Sequence, residues 1–210
     1  MKKLLSNLIE TIKKEKALVR FVFALYFIGI TAGTLFINFV TKDDKKLLIS
    51  QVTVFFNSIK KLSSDVFGSS AFFSILINNL TQLFIIFVLG ISIIGILAVI
   101  VIIFFKGFTL GTTLSSILLK YKYKGTLAII LYVFPVTVIN IFIYFFMSFF
   151  AIYVSLKFIR AFIKKDNLDF KKFLGKYVLS FIISIIFIIL CSLLDAYLTP
   201  FLLRLFTYLI

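Results

Sequence analysis

Residues Val88–Gly111 read VLGISIIGILAVIVIIFFKGFTLG. Lys106 is the only charge in this stretch, and Gly107 and Gly111 follow it four residues apart. An apolar run of roughly 20 residues suffices to cross a bilayer as a helix. The stretch therefore reads as membrane sequence, and Lys106 reads as the boundary between two crossings. Its ammonium snorkels to the interface while Gly107 lets the backbone reverse.

The rest of the chain agrees with a membrane solvent. Of 210 residues, 62% are hydrophobic and 18% aromatic. A soluble domain is only about 45–50% apolar. The mean hydropathy of +1.17 points the same way. Lys and Arg number 23 against 8 Asp and Glu, a formal charge of +15. These cations sit in short clusters between apolar runs, a pattern suited to anionic lipid. No polar domain exists to present them to nucleic acid. The chain has no histidine, which removes His-ligated zinc and histidine-based nucleophile pairs. Its one cysteine, Cys191, has no partner for an intrachain disulfide.

Spans are expected at residues 18–40, 80–105, 107–119, 126–156 and 177–198. The third is short, because 13 residues rise only about 20 Å as a helix. Charge placement decides that it crosses. The leader, residues 1–16 and on to Arg20, carries Lys2, Lys3, Lys13, Lys14, Lys16 and Arg20. The loop at 157–176 carries Lys157, Arg160, Lys164, Lys165, Lys171, Lys172 and Lys176. The positive-inside rule puts both in the cytoplasm, so an even number of crossings separates them. The fold expected is an all-α, polytopic bundle of five transmembrane helices plus amphipathic interfacial helices, as one membrane domain. Its amino end is inside and its carboxyl end outside, with Lys120, Lys122 and Lys124 as the dissenting outer cluster. The apolar run from Ala17 is too long for a secretion signal and reads as an uncleaved span.

Three segments look amphipathic. In the external segment 42–79, Leu48, Val52, Phe55, Ile59 and Leu62 fall on one helical face, fit to lie on lipid or to dock a partner. Leu5, Leu8, Ile9 and Ile12 share a face in the leader. Asp166 and Asp169 suit a helix start before Phe170, Phe173 and Leu174.

Polar residues inside spans are costly and mark candidate sites. They are Asn38, Asn78, Asn79, Gln82, Asn140, Ser184 and Asp195. Asp195 is the sole carboxylate within an apolar run, so paired-carboxylate hydrolysis has no support. No credible base accompanies a nucleophile, so the chain reads as no enzyme and calls for no cofactor or metal. Gly29–Gly33 and Gly107–Gly111 form small-residue grooves suited to helix packing or to contacts between copies of the chain. Pro135 is expected to kink the fourth span. A polar path along Asn78, Asn140 and Asp195 would instead make a channel or permease component.

Taken in order, GITAG at Gly29–Gly33, Asn78–Asn79, VLGISIIG at Val88–Gly95, KGFTLG at Lys106–Gly111 and DAYLTP at Asp195–Pro200 resemble the stage II sporulation protein M family. The marks in the last motif are Asp195, Ala196, Tyr197 and Pro200. The resemblance covers nearly the whole chain. Residues Val136–Asn140 depart from broader members that carry His or Glu there, which weighs against a general transport role. The resemblance implies a non-catalytic scaffold in the mother-cell membrane. Such a scaffold anchors and recruits the peptidoglycan-degrading stage II sporulation proteins D and P at the septum during forespore engulfment.

Overall fold

The computed structural model describes residues 2–61, 69–132, 136–164 and 170–208. Leu62, Pro135, Asp166 and Asp169 lie outside the described residues, as does the side chain of Ile59. The chain forms α1 (Lys2–Lys14), α2 (Lys16–Phe39), α3 (Lys42–Lys61), α4 (Ser69–Ile91), α5 (Gly95–Tyr121), α6 (Tyr123–Tyr132), α7 (Val138–Lys164) and α8 (Phe170–Tyr208). The described residues contain no strand. Five stretches are long and apolar enough to cross a bilayer: Lys16–Phe39, Ala71–Ile91, Gly95–Tyr121, Val138–Ile163 and Phe173–Leu202. The protein is an all-α, polytopic membrane helix bundle.

Several boundaries are corrected. The expected spans 80–105 and 107–119 are replaced by α4 and α5, and Lys106 falls mid-way along α5 rather than at a turn. The chain reverses at Ser92–Ile94. There the Ser92 amide donates to the Leu89 carbonyl at 3.0 Å and the Gly95 amide to the Ser92 carbonyl at 3.2 Å. The Ser155 hydroxyl of α7 lies 2.8 Å from the Gly90 carbonyl and 3.0 Å from that of Ser92. It thus meets the carbonyl of Gly90 in the last turn of α4 and shares that of Ser92 with the Gly95 amide. A turn satisfied by a buried serine needs no charge, so the sequence shows no polar punctuation there. Residues 69–79 belong to α4 rather than to the external segment. The span at 126–156 divides into α6 and α7, with a widened, π-type turn at Val136–Thr137. Span five runs on through Pro200, beyond the expected end at 198. The basic loop is shorter than 157–176, because α7 reaches Lys164 and α8 starts at Phe170.

The central helix is α7, in which every residue from Met147 to Ile152 is buried. A helix apolar all round is one covered all round. It packs against α4, α5 and α8. Outward-facing Leu97 is 69% exposed and Ile28 56%, surface that lipid solvates.

The closest contact joins α2 to α5. A Cβ on Gly107 would strike the Tyr26 carbonyl oxygen and lie 3.1 Å from the Ile30 nitrogen and 3.2 Å from the Gly29 Cα. One on Gly33 would strike the Phe108 carbonyl, its carbon only 2.9 Å away. Gly29, Gly33, Gly107 and Gly111 thus form one seam in which two backbones touch, the small-residue mode of membrane packing.

The bundle has two unlike ends. At one, α1 packs on α2 and α8, with Leu8 in the main core. Lys157 lies 5.9 Å from the ring centroid of Tyr153, and Tyr153 is 5.8 Å from Phe173. The leader, the end of α7 and the start of α8 therefore lie together at this end. A hydrogen bond from Lys14, 2.8 Å away, holds the Glu10 carboxyl below its ordinary range. At the other end α3 closes over α5 and α6 through buried Phe56, Ile117 and Ala128, with Val52 beside them. Lys120 donates to Thr53 there. The connection from α5 to α6 turns at Lys122, whose φ of 48° lies in a region that favours glycine.

Two outcomes follow from this packing. Gly107→Leu should lower stability by about 2 kcal/mol or more, by forcing the seam apart. Gly175→Ala should be neutral or raise stability by up to about 1 kcal/mol, since nothing lies within 4 Å of the added methyl. Thermal unfolding in detergent reads both. By the same measurement, Lys122→Gly should add about 1 kcal/mol by removing backbone strain.

Candidate functional site

Three helices aim polar side chains at one another near the middle of the bundle. On α4, Asn79 and Gln82 stand three residues apart, and Asn78 and Gln82 four. On α5, Lys106, Thr109 and Thr113 follow helical spacing, as do Asn140, Tyr144 and Ser148 on α7. Lys106 is the twelfth residue of α5, roughly 17 Å from its start and close to the centre of the span. All of these but Asn78 line a cavity of about 560 Å³, to which Tyr26 of α2 also contributes.

Hydrogen bonds link the polar groups in two chains. Lys106 donates from Nζ to Gln82 Oε1. Gln82 Nε2 donates to Asn78 Oδ1 at 3.2 Å. Deeper in, the Tyr144 hydroxyl lies 3.2 Å from Asn79 Oδ1, and Asn79 Nδ2 donates to Ser192 Oγ on α8 at 3.3 Å. The Lys106 ammonium stands 3.4 Å from the centroid of the Tyr144 ring. Such a cation–π contact contributes about 2 kcal/mol when water is excluded. Asn140 Oδ1 and Ser148 Oγ are buried and meet no partner among the described residues.

What the site lacks is an opposite charge. The cavity lining includes no carboxylate among the described residues. Lys106 thus sits on an aromatic face and an amide oxygen, which solvate a cation without neutralising it. The arrangement can receive an anionic group.

The sequence candidates divide accordingly. Asn79, Gln82, Asn140 and Lys106 come together, with Asn78 at the margin. Asp195 lies elsewhere on α8, where Thr199 donates to its carboxylate at 2.9 Å. Ala196 beside it is buried and Tyr197 is exposed, so the motif combines an internal bond with an outward ring. Ser184 is buried and donates to the Ser180 carbonyl at 2.9 Å. Asn38 is exposed. On α3, Val52 turns toward the bundle while Phe55 is 45% exposed. The inward residue is Phe56, which the periodic reading passed over. Tyr144 and Ser148 were also missed. Their signal is the four-residue spacing from Asn140, faint because tyrosine and serine are common in membrane helices.

The family model described as stage II sporulation protein M matches residues 22–200. The chain belongs to that family. No curated protein and no solved structure matches it. The matched region begins within α2 and ends at Pro200, so it takes in the glycine seam, the Lys106 cavity and the Asp195–Thr199 bond. Family membership together with five apolar helices makes this a membrane protein of sporulation.

A site lysine without a counter-charge should be dispensable for folding. Replacing it as Lys106→Met should leave stability within roughly 1 kcal/mol of the parent or raise it, since an apolar isostere removes the desolvation cost. Detergent-phase unfolding checks this; a loss well beyond that range would make the lysine a structural element.

Proposed function

We propose that this family member is a non-catalytic scaffold of the mother-cell membrane. It anchors and recruits peptidoglycan-degrading partners, the stage II sporulation proteins D and P, to the septum for engulfment of the forespore. The observation that carries this reading is the family match across residues 22–200 on a five-span bundle. The ends of the bundle supply a direction. By the positive-inside rule the end bearing the leader, the end of α7 and the start of α8 faces the cytoplasm. The opposite end, built from α3, α6 and the end of α5, then faces the wall.

That outer end is where α3 offers a surface. Phe56 holds the helix to the bundle, while Leu47, Val54 and Phe55 are exposed. These side chains can rest on lipid or meet the membrane-proximal part of a hydrolase.

Disruption of the gene in a spore-forming host should stop the mother-cell membrane from migrating around the forespore, seen by fluorescence microscopy. Normal migration would sink the proposal. Within the complemented strain, the double change Val54→Asp and Phe55→Asp should release the hydrolases from the membrane fraction while the scaffold stays inserted. Undiminished co-purification would place the contact elsewhere.

A further inference from the structure

The cavity at Lys106 opens sideways, toward the bilayer. Its rim includes Ile85 of α4 and Val101 and Phe105 of α5, which are 44%, 51% and 57% exposed. Asn78, at the end of the hydrogen-bond chain from Lys106 through Gln82, is itself exposed on this flank. A polar row that starts at a cation and ends facing hydrocarbon is costly in a protein that stands alone. Polar groups in that position lose their cost when another helix covers them.

We propose that the cleft between α4 and α5 receives a transmembrane helix of a partner protein, one that carries an Asp or Glu at mid-membrane. The acidic side chain pairs with Lys106, and Asn78 and Gln82 bond to its flanking groups. This deepens the scaffold reading and rests on it, because it names the surface by which a membrane-anchored partner is held. Charge and depth argue for this occupant. Lipid phosphates stay about 15 Å from the midplane, half the hydrocarbon thickness, and do not reach Lys106. A soluble anion would have to pass an apolar rim from the lipid side. A second copy related by a twofold would bring two Lys106 ammoniums together. The chain's own carboxylate within a span, Asp195, is already bonded to Thr199.

The test uses the full chain in phosphatidylcholine vesicles, with an acceptor dye on its amino terminus. The probes are lysine-flanked polyleucine helices carrying a donor dye and either one Glu or one Gln at the centre. Energy transfer should show the Glu helix bound about tenfold more tightly than the Gln helix, the scale of a good interhelical polar contact. The preference should vanish in Lys106→Met. In Lys106→Glu, a polyleucine helix with a central Lys should become the favoured probe. That gain of binding cannot come from a misfolded variant. Equal binding of Glu and Gln helices to the parent protein overturns the proposal, as does a preference that survives Lys106→Met. Equal helix binding combined with thermal stabilisation by benzoate, lost in Lys106→Met, also overturns it in favour of a solute pocket. No other protein is present in the vesicles, so this result is independent of the engulfment phenotype. A sporulation defect without a Glu preference would leave the scaffold standing and remove the cleft. A Glu preference without the defect would do the reverse.

Discussion

Hydrocarbon neither donates nor accepts a hydrogen bond, and every part of this fold answers to that. Backbone groups close within helices. Hydroxyls fold back onto the preceding turn, as Thr31 does to Ile28, Thr109 to Phe105, Ser116 to Thr112 and Ser184 to Ser180. The tight reversal at Ser92–Ile94, which carries no charge, has Ser155 from another helix against the Gly90 and Ser92 carbonyls. Even Tyr177, fully buried, donates its hydroxyl to the Phe87 carbonyl at 2.8 Å. Measured against this rule, Lys106 is a cation that meets no carboxylate in its cavity among the described residues, and Asn78, two hydrogen bonds away through Gln82, is a polar side chain left exposed.

The glycine seam sets that pair in place. Water does not drive helices together inside lipid, so close van der Waals contact has to. Gly29 and Gly33 let α2 press its backbone onto α5 at Gly107 and Gly111. With that face of α5 occupied, Lys106 and Thr109 turn toward α4 and α7, where Gln82 and Tyr144 wait. The lysine and the glycine adjoining it therefore do separate jobs on separate faces: one locks the helix, the other charges the cleft. Gly90 works in the same way on α4, since an added Cβ would meet the Tyr177 hydroxyl and lie 2.7 Å from the Ala151 Cα.

The proposed scaffold role calls for surfaces at more than one depth. One end of the bundle presents α3, held by the small cluster around Phe56. The mid-membrane flank presents an uncompensated cation. A partner anchored by a single span and carrying an outer domain would meet both surfaces at once. Contacts linked in this way reinforce each other through effective concentration.

Much was legible before any tertiary contact was known. Composition, the spacing of apolar runs and the two basic clusters together determined a five-span helical bundle with those clusters at one end, because bilayer thickness and lipid charge act on the chain locally. The polar residues that matter were also visible as residue types: Asn79, Gln82, Lys106 and Asn140. Their roles were not. Lys106 looked like a boundary, since a charge in an apolar run is equally explained by the edge of the membrane and by a partner within it. The real boundary at Ser92 was silent, because the group that satisfies it, Ser155, lies 63 residues away in the chain. Only the packed structure decides between such readings. The energy of a buried polar group depends on what stands opposite it, and what stands opposite comes from another helix.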